Sequence, residues 1–331
     1  MTNTYKNVYI KETSTVAGIY EEDGPLKKYF DKLYSDDFYF GEKSFEKAEI
    51  KLLKDAVNIL LSKTNLNDKD IDLLISGDLL NQIVASNYMV RDFNIPFLGI
   101  YNACATSGEG LIIASNFVDS KKVNNCIVAT SSHNMAAEKQ FRNPTEYGTP
   151  KPETSTFTVT GGAAILLTNK KTDIRIDSTT TGIVIDKGIT DVNHMGAVMA
   201  PAAADTIYRH LKNTKRTVND YDLIVTGDLG KYGKEILINY MKKEYNLNIS
   251  KKYDDCGTMI YDVKKQPVLA GGSGPCCSAL VNFSYIYKML KDKKFKRVLL
   301  VPTGAIFSPT LVFQKESIPA IAHAVSLEVV L

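Results

Sequence analysis

The sequence predicts an α/β protein made of two copies of one unit, stacked as a five-layer α/β/α/β/α sandwich. The first observation is a repeat: Asp70 to Asp78 reads DIDLLISGD, and Asp220 to Asp228 reads DYDLIVTGD. A strand that recurs almost letter for letter marks a duplication. The second is that each copy follows an amphipathic helix. Phe45, Ala48, Leu52, Ala56, Ile59 and Leu60 precede the first, and Ala204, Ile207 and Leu211 the second, at helical spacing. The third is that runs such as LLIS, IVAT and VLLV are apolar without alternation, as in a sheet buried on both faces and covered by helices on either side.

The elements follow in order. After the first repeated strand, Pro96 to Tyr101 supplies an extra strand with no counterpart in the second half. Cys104 to Val118 and Cys276 to Leu290 are small-residue-rich helical segments, each leading into an apolar strand, Cys126 to Thr130 and Val298 to Val301. Strand-type stretches close the halves: Thr156 to Thr168 in the first, and Thr310 to Gln314 with Ala322 to Val330 in the second. The boundary falls near Asn169 to Thr172, giving halves of residues 1–170 and 171–331. In open α/β sheets ligands lie beyond the carboxyl ends of the strands. That rule gathers Gly77-Asp78, Asn102 to Ser107, Ser131 to Asn134 and Gly227-Asp228 around one site.

Composition narrows the function. With 331 residues, 44% of them hydrophobic and 23% charged, the chain has the make-up of a globular protein rather than a disordered one. The 40 basic and 37 acidic residues leave a net charge of +3 and are interspersed, so no basic stripe supports nucleic-acid binding. Met1 to Thr15 holds no apolar run of signal-peptide length, which predicts a cytoplasmic protein at synthesis. The uncharged run Gln266 to Tyr287 is broken by Pro267, Gly271, Gly272, Gly274 and Pro275, so it does not read as a membrane span. Five cysteines without CxxC spacing argue against a disulfide framework or a zinc site.

The motifs NACATSGEG, which puts Cys104 at a helix N-terminus, and GGSGPCCSAL before the matching helix make the chain resemble the thiolase superfamily. GDLLNQ at Gly77, ATSSHN at Ala129, QFRNPTEYG at Gln140, MAPAAADTI at Met199 and QKESIPAIAH at Gln314 resemble the stage V sporulation protein AD family from end to end. In condensing enzymes of the superfamily a Cys thiolate attacks a thioester while His and Asn partners support the chemistry. This chain keeps Cys104 but reads Thr226-Gly227-Asp228 in place of Pro-His-Gln, and Gly272-Ser273-Gly274 in place of Gly-Asn. The resemblance therefore implies a non-catalytic binder, without a cofactor. Its implied ligand is dipicolinic acid (pyridine-2,6-dicarboxylate) or calcium dipicolinate, delivered to the spore through a channel of other stage V sporulation membrane proteins. It further implies a homodimer paired through the first half and a peripheral position on the spore inner membrane.

Candidate ligand-binding residues are Cys104, His133, His323, Arg142 and Asp228. Cys104 is expected to be accessible and acidified by the helix N-terminus. His133 and His323 are read as a surviving base, as donors to an anion or as histidines bonded to nearby backbone, and His210 as part of a solvated helix face. Arg142 would pair with a planar carboxylate or be solvated in its loop, where Phe141 and Tyr147 would stack on a ring or pack a dimer interface. Asp78 and Asp228 would bind calcium or cap the helices that follow them. Two other functions stay open: an acyl-transfer or thioester-cleaving enzyme using Cys104, and a scaffold of the channel complex with a vestigial pocket.

Overall fold

The computed structural model describes residues 1–141 and 150–330. Its main sheet divides into two five-stranded halves of the same design. The first runs Tyr9–Ala17, Gly161–Thr168, Asn125–Ser132, Leu73–Gly77, Phe97–Gly99, and the second Ile174–Thr180, Ala324–Val329, Arg297–Val301, Leu223–Thr226, Tyr253–Asp255. In both, the first two pairings are antiparallel and the last two parallel. The halves meet edge to edge at a single pairing, Tyr9 with Arg175.

Alternation along the strands explains the continuous apolar runs. Leu73 and Ile75 enter the core between the sheets while Leu74 enters the outer core of the first half. Val298 and Leu300 likewise face inward, and Leu299 and Val301 outward. Helices Thr106–Asp119 and Pro275–Val281 fill the middle layer; Phe45–Thr64 covers one outer face, and Met195–Thr214 with Gly230–Tyr245 covers the other. The fold is thus the five-layer sandwich that the repeat predicts.

The repeated acidic residues have a local cause. Asp70 and Asp220 close capping boxes with Asn67 and Thr217 on the turns that enter the two strands. Asp72 accepts from the backbone N–H groups of Asn124 and Asn125, and Asp222 from those of Lys296 and Arg297, so each fixes the start of the neighbouring parallel strand. The duplicated motif is a registration device.

Two sequence expectations fail. The extra strand does have a counterpart: Tyr253–Asp255 pairs parallel to Leu223–Thr226 where Phe97–Gly99 pairs with Leu73–Gly77. It is short and acidic, so it lacks the apolar signature of a strand. Thr310 to Gln314 is not a strand either; Pro309 opens a short helix through Phe313, consistent with the fixed φ of proline at a first helical position. Ala324–Val329 closes the second half alone.

Candidate functional site

The site lies at the carboxyl ends of the first-half and second-half strands. Ala103, at φ 47°, turns the chain sharply after Asn102, and the turn Ala103–Ala105 leads directly into helix Thr106–Asp119. The Thr106 hydroxyl staples this elbow, accepting from the Asn102 N–H (3.1 Å) and donating to the Ala103 carbonyl (2.7 Å). Cys104 is thereby half-buried on the wall of a cavity of about 130 Å³. The other walls come from both halves: Leu79, Tyr101 and Phe141 on one side, Met195, Met199 and Phe307 on the other, with Thr156, Thr158, Ser273 and Glu138 as polar members. Phe141 and Phe307 are 5.4 Å apart between ring centroids, and Glu138 pairs with Lys151 at 2.7 Å.

Beneath Cys104 and Ser273 lies Asp228, fully buried. Its Oδ1 accepts from the Thr303 hydroxyl (2.8 Å) and its Oδ2 from the Gly274 N–H (3.1 Å) and the Ser273 hydroxyl (3.2 Å). Burial outweighs these donors and raises the carboxyl to about 6. A second buried acid, Asp255, accepts from the Thr226 hydroxyl and from the N–H groups of Leu229, Gly230 and Gly257. Burial raises it to about 7.

Asp255, not Asp228, therefore caps the second-half helix, which corrects the capping assignment. Asp78 does cap, accepting from Leu80 N–H at 3.0 Å and Ser86 N–H at 2.8 Å. Cys104 also departs from expectation: burial first, and the Asp228 charge second, push its thiol well above the ordinary range. A helix terminus contributes ~0.3–1 kcal/mol. Desolvation and the Asp228 charge together outweigh it.

The histidines do not join the site. The His133 Nε2 contacts the Phe38 carbonyl at 2.8 Å, its Nδ1 accepts from the Met135 N–H at 3.2 Å, and its ring lies against Phe40 and Phe45. It pins a loop and is not part of the wall of the Cys104 cavity. His323 accepts at Nδ1 from the Gly182 N–H (3.1 Å), so its proton sits on Nε2 and points at the Asn102 side chain, 2.8 Å away. Asn102 must then present its oxygen to the ring. Burial lowers both histidines to about 4, so neither supplies a charged donor at neutral pH. His210 is not solvated: it is buried between Thr180 Oγ1 and the Tyr221 hydroxyl, and burial lowers it to about 4. Arg142 and Tyr147 lie outside the described residues. Of the five candidates the structure brings together Cys104 and Asp228. Tyr101, Met195, Met199 and Phe307 escape a reading of the sequence, because apolar residues scattered over two halves carry no local motif.

Among the described residues no group of three or more His, Cys, Asp or Glu is placed to hold a metal ion. No described helix is long and apolar enough to cross a membrane.

The family model for stage V sporulation protein AD matches residues 2–328. The chain belongs to that family. It is 50% identical over 321 residues to the stage V sporulation protein AD of Bacillus subtilis (strain 168), covering 97% of this chain and 94% of the relative. Solved structures share its fold at low identity. A variant of OleA from Xanthomonas campestris superposes with a TM-score of 0.62 at 13% identity, covering 98% of this chain and 99% of the other. The 3-oxoacyl-[acyl-carrier-protein] synthase III of Aquifex aeolicus VF5 gives 0.56 at 15% identity, covering 97% and 99%. The fold is thiolase-like, and the protein is a sporulation protein of the AD family.

Proposed function

We propose that this chain is a non-catalytic binding protein that takes dipicolinic acid or its calcium chelate into the cavity at Cys104. In this reading it assists passage of the ligand into the developing spore, together with other stage V sporulation membrane proteins on the inner membrane. The observation that carries it is a glycine, Gly227, at the position where a condensing enzyme keeps its histidine base, followed by the fully buried Asp228. A Cβ at Gly227 would lie 3.0 Å from the Thr303 nitrogen, so a side chain there would have to push the neighbouring backbone aside. Gly274, at φ 96°, likewise has a backbone shape that side chains rarely adopt and presents only its N–H.

The walls suit a flat aromatic ring: Phe141, Phe307 and Tyr101 offer faces and edges, and the two methionines adapt around them. The Asp228 charge below the floor disfavours a free dianion relative to a chelate whose calcium offsets the ligand carboxylates. Calorimetric titration with pyridine-2,6-dicarboxylate, with and without Ca²⁺, tests the reading. Saturable heat is expected, larger affinity with calcium; no binding in either arm overturns it in favour of a scaffold. Steady release of coenzyme A from acetyl- or malonyl-thioesters, abolished by Cys104→Ala, would replace it with the enzyme.

The homodimer belongs to the same proposal. Strand Phe97–Gly99 ends the first-half sheet, and Leu98, Tyr88 and Tyr101 are exposed large side chains on or near it. An unprotected edge of this kind favours pairing with a second copy.

A further inference from the structure

Basic residues are spread along the chain, but the fold gathers three Lys-Lys pairs at the end opposite the cavity. Lys121-Lys122 precede strand Asn125–Ser132, Lys170-Lys171 link Gly161–Thr168 to Ile174–Thr180, and Lys293-Lys294 precede Arg297–Val301. Asn169 bonds Asn124 through backbone (3.1 Å) and side chain (2.7 Å), while the N–H groups of Val330 and Val329 reach the carbonyls of Asp173 (2.7 Å) and Lys296 (2.9 Å). The three turns therefore form one surface at the amino ends of the parallel strands. All six lysines are exposed, and among the described residues none of them makes an ion pair, whereas neighbouring Lys288 and Lys291 pair with Asp292 and Glu12. Residues 119–125, 169–175 and 291–297 hold ten basic and three acidic residues, a surplus of seven in a chain whose net charge is +3.

Local structure does not require this. The helices that end at Asp119 and Lys291 finish in the same turn: the Lys121 N–H returns to the Val118 carbonyl and the Lys122 N–H to that of Phe117, as Lys293 does to Leu290 and Lys294 to Met289. Lys121 and Lys293 both sit at φ 58°, a left-handed position that favours glycine. The negative end of a helix attracts a nearby lysine, but it does not ask for one in that conformation. It also gives no reason for Lys170 and Lys171, which lie on a loop.

We propose that this face docks the protein directly on an anionic lipid bilayer, with the lysines set against the headgroup phosphates. A cluster of roughly four to eight basic side chains is held at such a surface by its negative potential. Lysine point charges suit a diffuse array of headgroups, whereas a nucleic acid would be met by arginine forks and stacking aromatics. The arginines of this face, Arg175 and Arg297, are both engaged by Glu328. Helix Thr106–Asp119 runs from the cavity to the face, and its 14 residues separate the two by about 21 Å. A docked protein therefore keeps its cavity on the side away from the bilayer.

Docking of this kind deepens the membrane part of the proposed function and rests on it, but dicarboxylate binding is a separate property. The test contains neither dicarboxylate nor a membrane protein, so its failure leaves ligand binding standing. It is co-sedimentation with vesicles of phosphatidylglycerol and phosphatidylcholine in equal parts, against phosphatidylcholine alone. The wild-type protein should sediment with the first and not the second, and should be released at ~1 M salt, where the screening length falls to ~3 Å. Lys170→Glu with Lys171→Glu, and Lys293→Glu with Lys294→Glu, should each weaken partitioning about tenfold or more. Lys27→Glu with Lys28→Glu, a pair beyond the carboxyl end of Tyr9–Ala17, should bind as wild type. Equal binding to both kinds of vesicle, binding to neither, or double variants that melt normally and bind as wild type overturn the docking face. Retention of duplex DNA in place of the vesicles would overturn it too, and assign the lysines to a nucleic acid.

Discussion

Glu21 is a fully buried carboxylate that joins the first half to the second. Its Oε1 accepts from the Tyr261 hydroxyl and from the Thr160 N–H, while its Oε2 is buried without a partner. Burial is the dominant effect and raises the carboxyl from 4.5 to about 7. A folded-state pKa above the unfolded value means stability that is full below about 4.5 and is lost as pH rises through about 7. At 1.36 kcal/mol per unit, the roughly 2.5-unit shift corresponds to about 3 kcal/mol. Glu21→Gln keeps the accepting oxygen and removes the titration. The stability difference between variant and wild type should therefore shift in the variant's favour by about 3 kcal/mol between pH 4.5 and pH 8. Urea unfolding at both pH values measures this double difference, in which any pH-independent cost of the amide cancels. A difference that stays constant, or moves toward the wild type as pH rises, would show that the Tyr261 and Thr160 donors hold Glu21 as an anion and would refute the reasoning.

Further outcomes follow from other buried groups. His210, lowered to about 4, has the opposite sign: its stability contribution is lost as pH falls from 6.5 through 4, by about 3 kcal/mol. His210→Phe should flatten that part of the acid limb in urea titrations. Asp255→Ala strands the Leu229, Gly230 and Gly257 N–H groups and should cost roughly 2–5 kcal/mol in thermal or urea unfolding. Phe307→Ala should weaken pyridine-2,6-dicarboxylate binding by about 1–2 kcal/mol in calorimetry, by loss of a ring wall, while leaving the melting temperature close to wild type. Leu98→Lys should convert a dimer to a monomer in light scattering if the Phe97–Gly99 edge is the interface; a dimer that persists relocates it.

The layer order was legible because it rests on patterns that repeat. A strand buried on both faces writes itself as an unbroken apolar run, and Leu73 to Ile75 and Val298 to Leu300 did so. Tyr253–Asp255 did not, since three residues with two acids carry no periodicity. The site was legible where a motif marks a backbone elbow, as at Cys104, and illegible where function depends on what a side chain meets across the fold. His133 looks like a ligand because it follows a buried strand, and His323 because the resemblance places it in a C-terminal hairpin near the Cys. Only their partners, Phe38 and Met135 for one, Asn102 and Gly182 for the other, show that their nitrogens are already spoken for. The thiol pKa failed for the same reason: Asp228 lies 124 positions from Cys104 in sequence and against it in space.

The chain begins by pairing with its own distant half. Thr2–Thr4 lies along Ile174–Thr180, and Tyr9 meets Arg175. Residues 1–170 therefore emerge from the ribosome with the inward face of helix Thr106–Asp119 bare, waiting for helix Pro275–Val281 and the second sheet. At ~5–20 residues per second the remaining chain takes roughly 10–30 s to arrive. Through that interval a small-residue apolar surface stands uncovered, so the first half completes its core only when the second half has been made.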